Sequence, residues 1–353
     1  MNSLIKDWTG QIYDAAETGR KLNVRGGGSK SFYGAAQQGD VFDASANRGI
    51  LAYEPTELVL TACAGTPLAE VEATLAEKGQ WLAFEPPHFG AGATLGGMLA
   101  AGLSGPRRQA VGAVRDFVLG VKMLSGKGEV LSFGGQVMKN VAGYDVPRLM
   151  AGSMGTLGVL LEVSLKVLPL PVAERTLRFS MSQAEAIEKL NLWGGKPLPV
   201  SASAWNDGVL TLRLSGAAAA VDAAQKTLGG DVLDEAGVFW TSLREQTHEF
   251  FAGDAPLWRL SLPSVTPQQT LGSTLIEWGG AQRWLRGGDP LAIRAAAEKA
   301  GGHATLFRAD AVLKNAVGVF QPLTTPLARI HHNLKNAFDP QGIFNPGRMY
   351  PDF

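Results

Sequence analysis

Two glycine-rich loops constrain this chain more than any other feature: Arg25-Gly26-Gly27-Gly28-Ser29-Lys30 and Gly90-Ala91-Gly92-Ala93-Thr94-Leu95-Gly96-Gly97. Each follows a stretch that reads as a strand. Glycine lets a backbone approach a ligand closely and turn its N–H groups inward, which makes an anion-binding concavity. Two such loops in one domain suit a diphosphate gripped from both sides better than a single phosphate. Glycine pairs also serve ordinary tight turns, so either loop alone has a purely structural reading. Together they favour a dinucleotide site. It is not a Rossmann site, because Gly96 falls one residue too late after Gly90-Ala91-Gly92, and no Walker loop occurs.

A third region extends the case. Gly135-Gln136-Val137-Met138-Lys139-Asn140-Val141-Ala142-Gly143-Tyr144-Asp145 leads to Gly152-Ser153-Met154-Gly155-Thr156-Leu157-Gly158, with a strand directly after. Glycines at 152, 155 and 158 let backbone groups meet a flat ring system edge-on. Arg115-Asp116, just before the strand that begins at Phe117, reads either as an ion pair or as the holder of a ribose end.

At 353 residues the length suggests two domains, each able to bury a core. Basic and acidic residues balance at 32 each, which argues against nucleic acid as the main partner. The lone cysteine, Cys63, lies in an apolar run and reads as a buried, inert thiol. Lys6 and Asp7 interrupt the N-terminus before an apolar core develops, so no signal peptide is expected. The longest apolar segment, 157–168, carries Glu162 and Lys166 and is too short to span a membrane. A cytoplasmic location is expected.

Periodicity then orders the elements. Thr66 reads as an N-cap with Pro67 at the first helical position, Leu68, Val71 and Leu75 on one face, and Gly79 as the stop. Residues 117–124 and 129–133 flank Ser125-Gly126-Lys127-Gly128 as a hairpin. Alternation over 157–168 predicts a strand with one buried side. Pro169 and Pro171 mark a boundary, giving domains 1–171 and 172–353. Beyond it, Ser182-Gln183-Ala184-Glu185 is a capping box. Strands near 176–180, 200–204 and 209–214 and a helix over 217–228 make a βαββαβ order. A looser copy follows in strands 257–262, 273–278 and 281–285, a helix from Asp289-Pro290 to Gly301, and strand 303–307. An antiparallel sheet covered by helices, in an α+β domain, is the expected result. Thr325-Pro326 opens a last helix with Leu327, Ile330 and Leu334 on one side, and the turn-rich tail 338–348 is expected to pack back on the first domain.

Hydrolase and metalloprotease signatures are missing. His331 and His332 point about 100° apart on a helix and cannot chelate as an i, i+4 pair would. His248 and His303 have no nearby partners in sequence. His88 adjoins the second loop, with a structural role favoured over contact with a ligand. No catalytic residue and no metal site can be assigned.

The three glycine-rich segments, in this order, resemble the FAD-binding domain of the vanillyl-alcohol oxidase, or p-cresol methylhydroxylase-type, family. Lys139–Asp145 with Gly152–Gly158 is similar to its glycolate oxidase and D-lactate dehydrogenase branch, and Asp339-Pro340-Gln341-Gly342-Ile343-Phe344-Asn345-Pro346-Gly347-Arg348 resembles that branch too. The resemblance spans essentially the whole chain. It implies a two-part FAD-binding domain followed by an antiparallel α+β cap domain. The cofactor residues it implies are Arg25, Gly26, Gly27, Gly28, Ser29 and Lys30; Gly92, Ala93, Thr94, Gly96 and Gly97; Ser104, Gly105, Arg115 and Asp116; and Lys139, Asn140, Tyr144, Gly155 and Gly158.

Two departures refine it. Covalent members of the family carry a histidine where this chain has Ser29 and Lys30, so FAD is expected to be non-covalent. Catalytic members of the branch carry a metal-binding, histidine-rich segment that is absent here. The chain thus resembles the smaller FAD-binding subunits of bacterial glycolate oxidases, as does the run Glu277-Trp278-Gly279-Gly280-Ala281-Gln282-Arg283-Trp284. Implied partners are a larger homologous FAD subunit and an iron–sulfur subunit, with peripheral contact to the inner face of the membrane through them. The implied substrate is glycolate or another small 2-hydroxy acid. If this chain has a substrate site of its own, Arg259, Arg283 and Arg286 are candidate carboxylate clamps, although each also reads as a strand-end surface charge. Two alternatives stand beside this: a self-sufficient flavoenzyme with another substrate, and a non-catalytic structural subunit.

Overall fold

The computed structural model describes residues 2–135 and 144–353. Its N-terminal helix, Asn2–Thr18, turns Trp8, Ile12 and Ala15 inward against Leu22, Phe42, Leu161 and Phe344. The short strands Leu22–Arg25 and Asp40–Asp43 pair in parallel, and the first glycine loop leaves the end of the former.

Five antiparallel strands form the main sheet of the N-terminal half. Their order is Ile50–Glu54, Val59–Cys63, Val159–Lys166, Val118–Leu124, Val130–Gly134. The hairpin read across Ser125–Gly128 is present: the Ser125 N–H donates to the Glu129 carbonyl at 3.0 Å. Strand Val159–Lys166 differs from its one-sided pattern, because it is the middle strand and packs on both faces. Val159 and Leu161 enter the core of the N-terminal helix, whereas Leu160, Val163 and Leu165 join Leu68, Val71 and Leu75.

Two local details also differ from the sequence reading. Helix Leu68–Ala76 has Pro67, not Thr66, at its N-cap position, without a side-chain cap. The Thr66 hydroxyl is taken instead by Gly49, accepting from its N–H at 2.9 Å and donating to its carbonyl at 3.2 Å. The second glycine loop does not follow a strand; residues 82–94 are irregular. It leads into helix Leu95–Ala101, where the Thr94 hydroxyl accepts from the Gly97 N–H at 3.2 Å.

The C-terminal half is built on one eight-stranded antiparallel sheet. Its order is Asp231–Val232, Ala173–Ser180, Val209–Gly216, Val200–Asn206, Thr274–Glu277, Gln282–Arg286, Leu257–Ser261, His303–Arg308. The first four strands and the last four have the same internal order, reversed about the Val200–Asn206/Thr274–Glu277 pairing. That is an approximate two-fold, and it accounts for the repeat seen in the sequence. The second copy lacks a helix matching Gln183–Gly194; residues 262–273 are irregular there. Helices Gln183–Gly194, Ala218–Leu228 and Pro290–Lys299 cover one face of the sheet. Its other face, with Ala202, Leu275, Trp284 and Phe307, packs on Tyr33, Leu103 and Met154 of the N-terminal half.

Helix Thr325–Phe338 leaves Leu327 and Ile330 exposed and buries Lys335 instead. The Lys335 ammonium donates to the Thr156 carbonyl (2.7 Å), the Asp339 carboxylate (2.8 Å) and the Phe344 carbonyl (2.7 Å). These bonds fold the tail back onto the first half. Phe344 bridges Leu22 in parallel, and the Asn345 side chain accepts from the Val24 N–H at 2.7 Å while donating to the Met154 carbonyl at 2.7 Å.

Candidate functional site

The two glycine loops touch. A Cβ at Gly27 would run into the Gly92 carbonyl, well inside the 3.0 Å that real Cβ atoms keep, and one at Gly26 would meet the Thr94 hydroxyl. Gly28 has φ +74°, and the Arg25 guanidinium lies across it. Glycine is therefore required here by loop-on-loop packing and by backbone conformation, even before any ligand is considered.

Between the loops and the Gly152–Gly158 segment lies a cleft with about 880 Å³ of empty space. Arg25, Gly26, Gly27, Gly28, Ser29, Lys30, Thr94, Gly96, Gly97, Gly155 and Gly158 all line it. Gly92 backs it through Gly27, and Ala93 is buried behind the loop, its carbonyl accepting from the Leu68 N–H at 2.8 Å.

Other residues implied by the resemblance lie elsewhere. The Ser104 hydroxyl accepts from the Val114 N–H at 3.0 Å, and the Gly105 carbonyl accepts from the Trp278 indole at 3.1 Å; both line a second, smaller cavity. Arg115 and Asp116 are exposed on the turn Val114–Asp116, where the Asp116 carboxylate accepts from the Ala113 N–H at 2.8 Å. The turn uses that carboxylate to close itself. Tyr144 is 93% exposed and does not line the cleft. Lys139 and Asn140 lie outside the described residues.

Several lining residues escaped the sequence reading. Tyr33, Gln37, Asn345 and Arg348 all face the cleft. Buried Arg348 donates to the carbonyls of Ser31 (3.0 Å), Tyr33 and Ala35, which clamps the exit of the first loop. Burial lowers its pKa to about 10. The only available signal was the tail's family-like ending, which gives no hint of which loop it braces.

The electrostatics suit an anion. Arg25, Lys30 and Arg348 line the cleft, and no Asp or Glu is among its lining residues. Burial lowers the Lys30 pKa to about 8, against an opposing pull from Glu245. Its ammonium donates to the His88 carbonyl at 3.1 Å. His88 is itself held by Glu72 (Nε2 to carboxylate, 2.9 Å), and its N–H donates to Glu245. His88 thus positions Lys30 and does not line the cleft. The apolar stretch of lining, Val24, Ala44, Ala64, Ala100, Ala101 and Leu160, offers flat surface for ring systems.

The candidate clamps separate. Arg283 is buried, its pKa lowered to about 10 by burial, and it donates to the carbonyls of Thr266, Pro267 (2.8 Å) and Gly280 (3.3 Å). It braces the irregular 262–273 segment. Arg286 approaches Gly253, away from the cleft. Arg259 alone reaches the seam between the halves, donating to the Tyr33 hydroxyl at 3.1 Å. Among the described residues, no three His, Cys, Asp or Glu side chains cluster as a metal ion needs. No helix among them is long and apolar enough to cross a membrane.

Residues 11–134 match the family model described as an FAD binding domain. The solved structure of an alkyldihydroxyacetonephosphate synthase superposes with a TM-score of 0.65 at 15% identity, covering 96% of this chain and 73% of that one, a likeness of fold. The mitochondrial D-lactate dehydrogenase [cytochrome] of Arabidopsis thaliana is 32% identical over 148 residues, 41% of this chain and 26% of that protein. The glycolate oxidase subunit GlcE of Escherichia coli (strain K12) is 49% identical over 344 residues, 97% of this chain and 96% of the relative. With an FAD binding domain holding the two glycine loops and near end-to-end identity of this degree, the chain belongs to the family of the glycolate oxidase subunit GlcE.

Proposed function

We propose that this chain is the FAD-binding subunit of a complex that oxidises glycolate, or a related small 2-hydroxy acid, to the 2-oxo acid. The full-length identity to a glycolate oxidase subunit carries this reading. FAD, when bound, supplies two-electron redox chemistry that no side chain offers. The fit rests on the cleft itself: glycine loops pressed together where a Cβ cannot stand and, among the described residues, three lining cations and no carboxylate.

In this reading the N–H groups of the Gly26–Ser29 loop bind the diphosphate, with Arg25 and Lys30 balancing its charge. Gly96 and Gly97, whose N–H groups are held by the Ala64 carbonyl at 2.7 Å and the Thr94 hydroxyl at 3.2 Å, form the facing wall. Thr94 keeps its turn in shape, and Gly155 and Gly158 let the adenosine end lie against backbone. Arg348 and Asn345 hold the walls at the correct separation. The domain division at 171 fits, since all strands of the eight-stranded sheet follow it and those of the five-stranded sheet precede it. Residues 338–348 return to the first domain. Ser104, Gly105, Arg115, Asp116 and Tyr144 are not part of the grip in this reading.

The partners proposed are a larger homologous FAD subunit and an iron–sulfur subunit, and the complex is proposed to meet the inner face of the membrane through them. The test is an assay of the isolated chain with glycolate and D-lactate and an artificial electron acceptor, repeated after adding both partners. Activity should appear only in the mixture; full activity from the chain alone would overturn the requirement for partners.

A further inference from the structure

The eight-stranded sheet presents an unusual face to the N-terminal half. Arg259 pairs with Trp284 on one side and Thr305 on the other, and Glu277 pairs with Gln282. Strand alternation sends their neighbours Trp258, Leu260, Leu285 and Leu306 to the opposite, helix-covered face. Charged and polar groups are thereby gathered in the seam, where a small cavity open to solvent on one side lies against Ser104 and Gly105.

Three groups in that cavity are incompletely used. The Arg259 guanidinium donates to the Tyr33 hydroxyl at 3.1 Å, lies 5.6 Å from the ring centroids of both Tyr33 and Phe307, and forms no ion pair among the described residues. Nearby buried arginines behave otherwise: Arg107 and Arg213 both pair with Glu85. Gln246 is only 8% exposed, and its Oε1 has no hydrogen-bond partner among the described residues. Glu277 is 4% exposed, and both its bonds, from the Trp284 indole (2.6 Å) and Gln282 (3.0 Å), fall on Oε2. An unpaired guanidinium and an orphaned acceptor in one cavity are costly unless something completes them.

We propose that this seam is a binding site for a small 2-hydroxy monocarboxylate, with Arg259 taking the carboxylate and Gln246 Oε1 accepting from the hydroxyl. Glu277 is the positioning residue of the wall, held by Trp284 and Gln282. Burial and the nearby Glu85 raise its pKa to about 7, so it repels an incoming carboxylate less than an acid with an ordinary pKa would. Arg244, also in the wall, is already neutralised by Glu245 at 2.8 Å. Phe89, Leu103 and Phe307 give the same small cavity an apolar wall, which suits a small acid better than a long one. Tyr33 joins the site to the cofactor cleft, since its ring lines the cleft and its hydroxyl holds Arg259.

The inference deepens the proposed function by giving this chain its own ligand site, and it predicts binding whether or not turnover needs partners. Glycolate and acetate are titrated calorimetrically into the full-length chain, and flavin content is read on the same preparation. Saturable glycolate binding, tighter than acetate, is expected. Arg259→Met should weaken glycolate by about tenfold or more, and Gln246→Leu should remove most of the preference for glycolate while sparing acetate, the scale of one to two hydrogen bonds. If Arg259→Met does not fold, Arg259→Lys carries the test, because the charge stays and the fork is lost, with a several-fold weakening expected. No saturable binding by a flavin-loaded chain, or equal affinity in the Arg259 variants, would overturn the seam site and leave the cofactor reading intact. A folded chain that never takes up FAD would instead overturn the cofactor reading.

Discussion

Replacing Gly27 by valine tests whether the paired loops form the diphosphate grip. The position is not one of positive φ, so the backbone itself tolerates a side chain; the obstacle is the Gly92 carbonyl. The loops must part by on the order of 1.5 Å before a Cβ fits, and a shift of about 1 Å in a positioning element costs roughly 10²-fold in function. The same size follows from counting bonds. Two backbone N–H groups that lose a charged acceptor forfeit about 1.5–3 kcal/mol each, which raises the Kd for FAD by about 10²- to 10⁴-fold. Flavin-stripped protein is titrated with FAD by fluorescence quenching, and far-UV circular dichroism reports the fold. The control is Gly10→Ala, where no atom lies within 4 Å of the added Cβ. An unchanged FAD affinity in Gly27→Val with the fold intact would refute the reasoning and reduce the loop to a turn.

Four further outcomes are expected. Acid precipitation should release the flavin as FAD into the supernatant, since Ser29 and Lys30 stand where covalent relatives have histidine; flavin retained in the pellet would contradict this. FAD affinity should be level below pH 8 and fall above it, because Lys30, with a pKa near 8, loses its charge there, and Lys30→Met should abolish the pH step; a wild-type profile without a step would count against Lys30. Asp339→Ala removes the partner of buried Lys335 and the acceptor of the Ile343 and Phe344 N–H groups, so urea unfolding should show a loss of about 3–5 kcal/mol. Gly10→Ala, in the interior of an exposed helical stretch, should raise stability by up to about 1 kcal/mol in the same assay.

Glu277 gives stability a pH dependence whose sign can be worked out. Its folded pKa is raised from 4.5 to about 7, so the folded state binds more protons than the unfolded chain between those values. Stability is greatest below pH 4.5 as far as this group is concerned, and falls as the pH rises through 7. Glu277→Gln keeps an acceptor for Trp284 and Gln282 and should flatten that part of the profile.

What was legible in the sequence was local. The capping box Ser182–Glu185, the hairpin over 118–134 and the Asp289-Pro290 helix start appear as read, because each is decided by a few neighbouring residues. The glycine loops were legible as loops, yet their glycines also serve contacts between the loops. The one-sided reading of strand Val159–Lys166 failed for a similar reason: alternation reports polarity, and Ser164 is buried with its hydroxyl 2.8 Å from that of Thr61. Thr66 had the right chemistry for a cap, but a closer backbone partner, Gly49, had first claim on it.

The site was less legible than the fold because its walls are joined over the longest separations in the chain. Asn345 connects Val24 to Met154, and Arg348 holds Ser31, Tyr33 and Ala35, so the turn-rich tail, expected only to pack back on the first domain, also completes the cleft. The same topology explains the three arginines. In sequence Arg259, Arg283 and Arg286 are equivalent strand residues. Register sends Arg283 to the helix-covered side, where three carbonyls take it, and leaves Arg259 facing the seam with no ion pair among the described residues. A guanidinium so placed, on the sheet face that packs on the N-terminal half and bonded to a tyrosine of the cleft, is the kind of group that strand alternation can locate only after the neighbours of the strand are known.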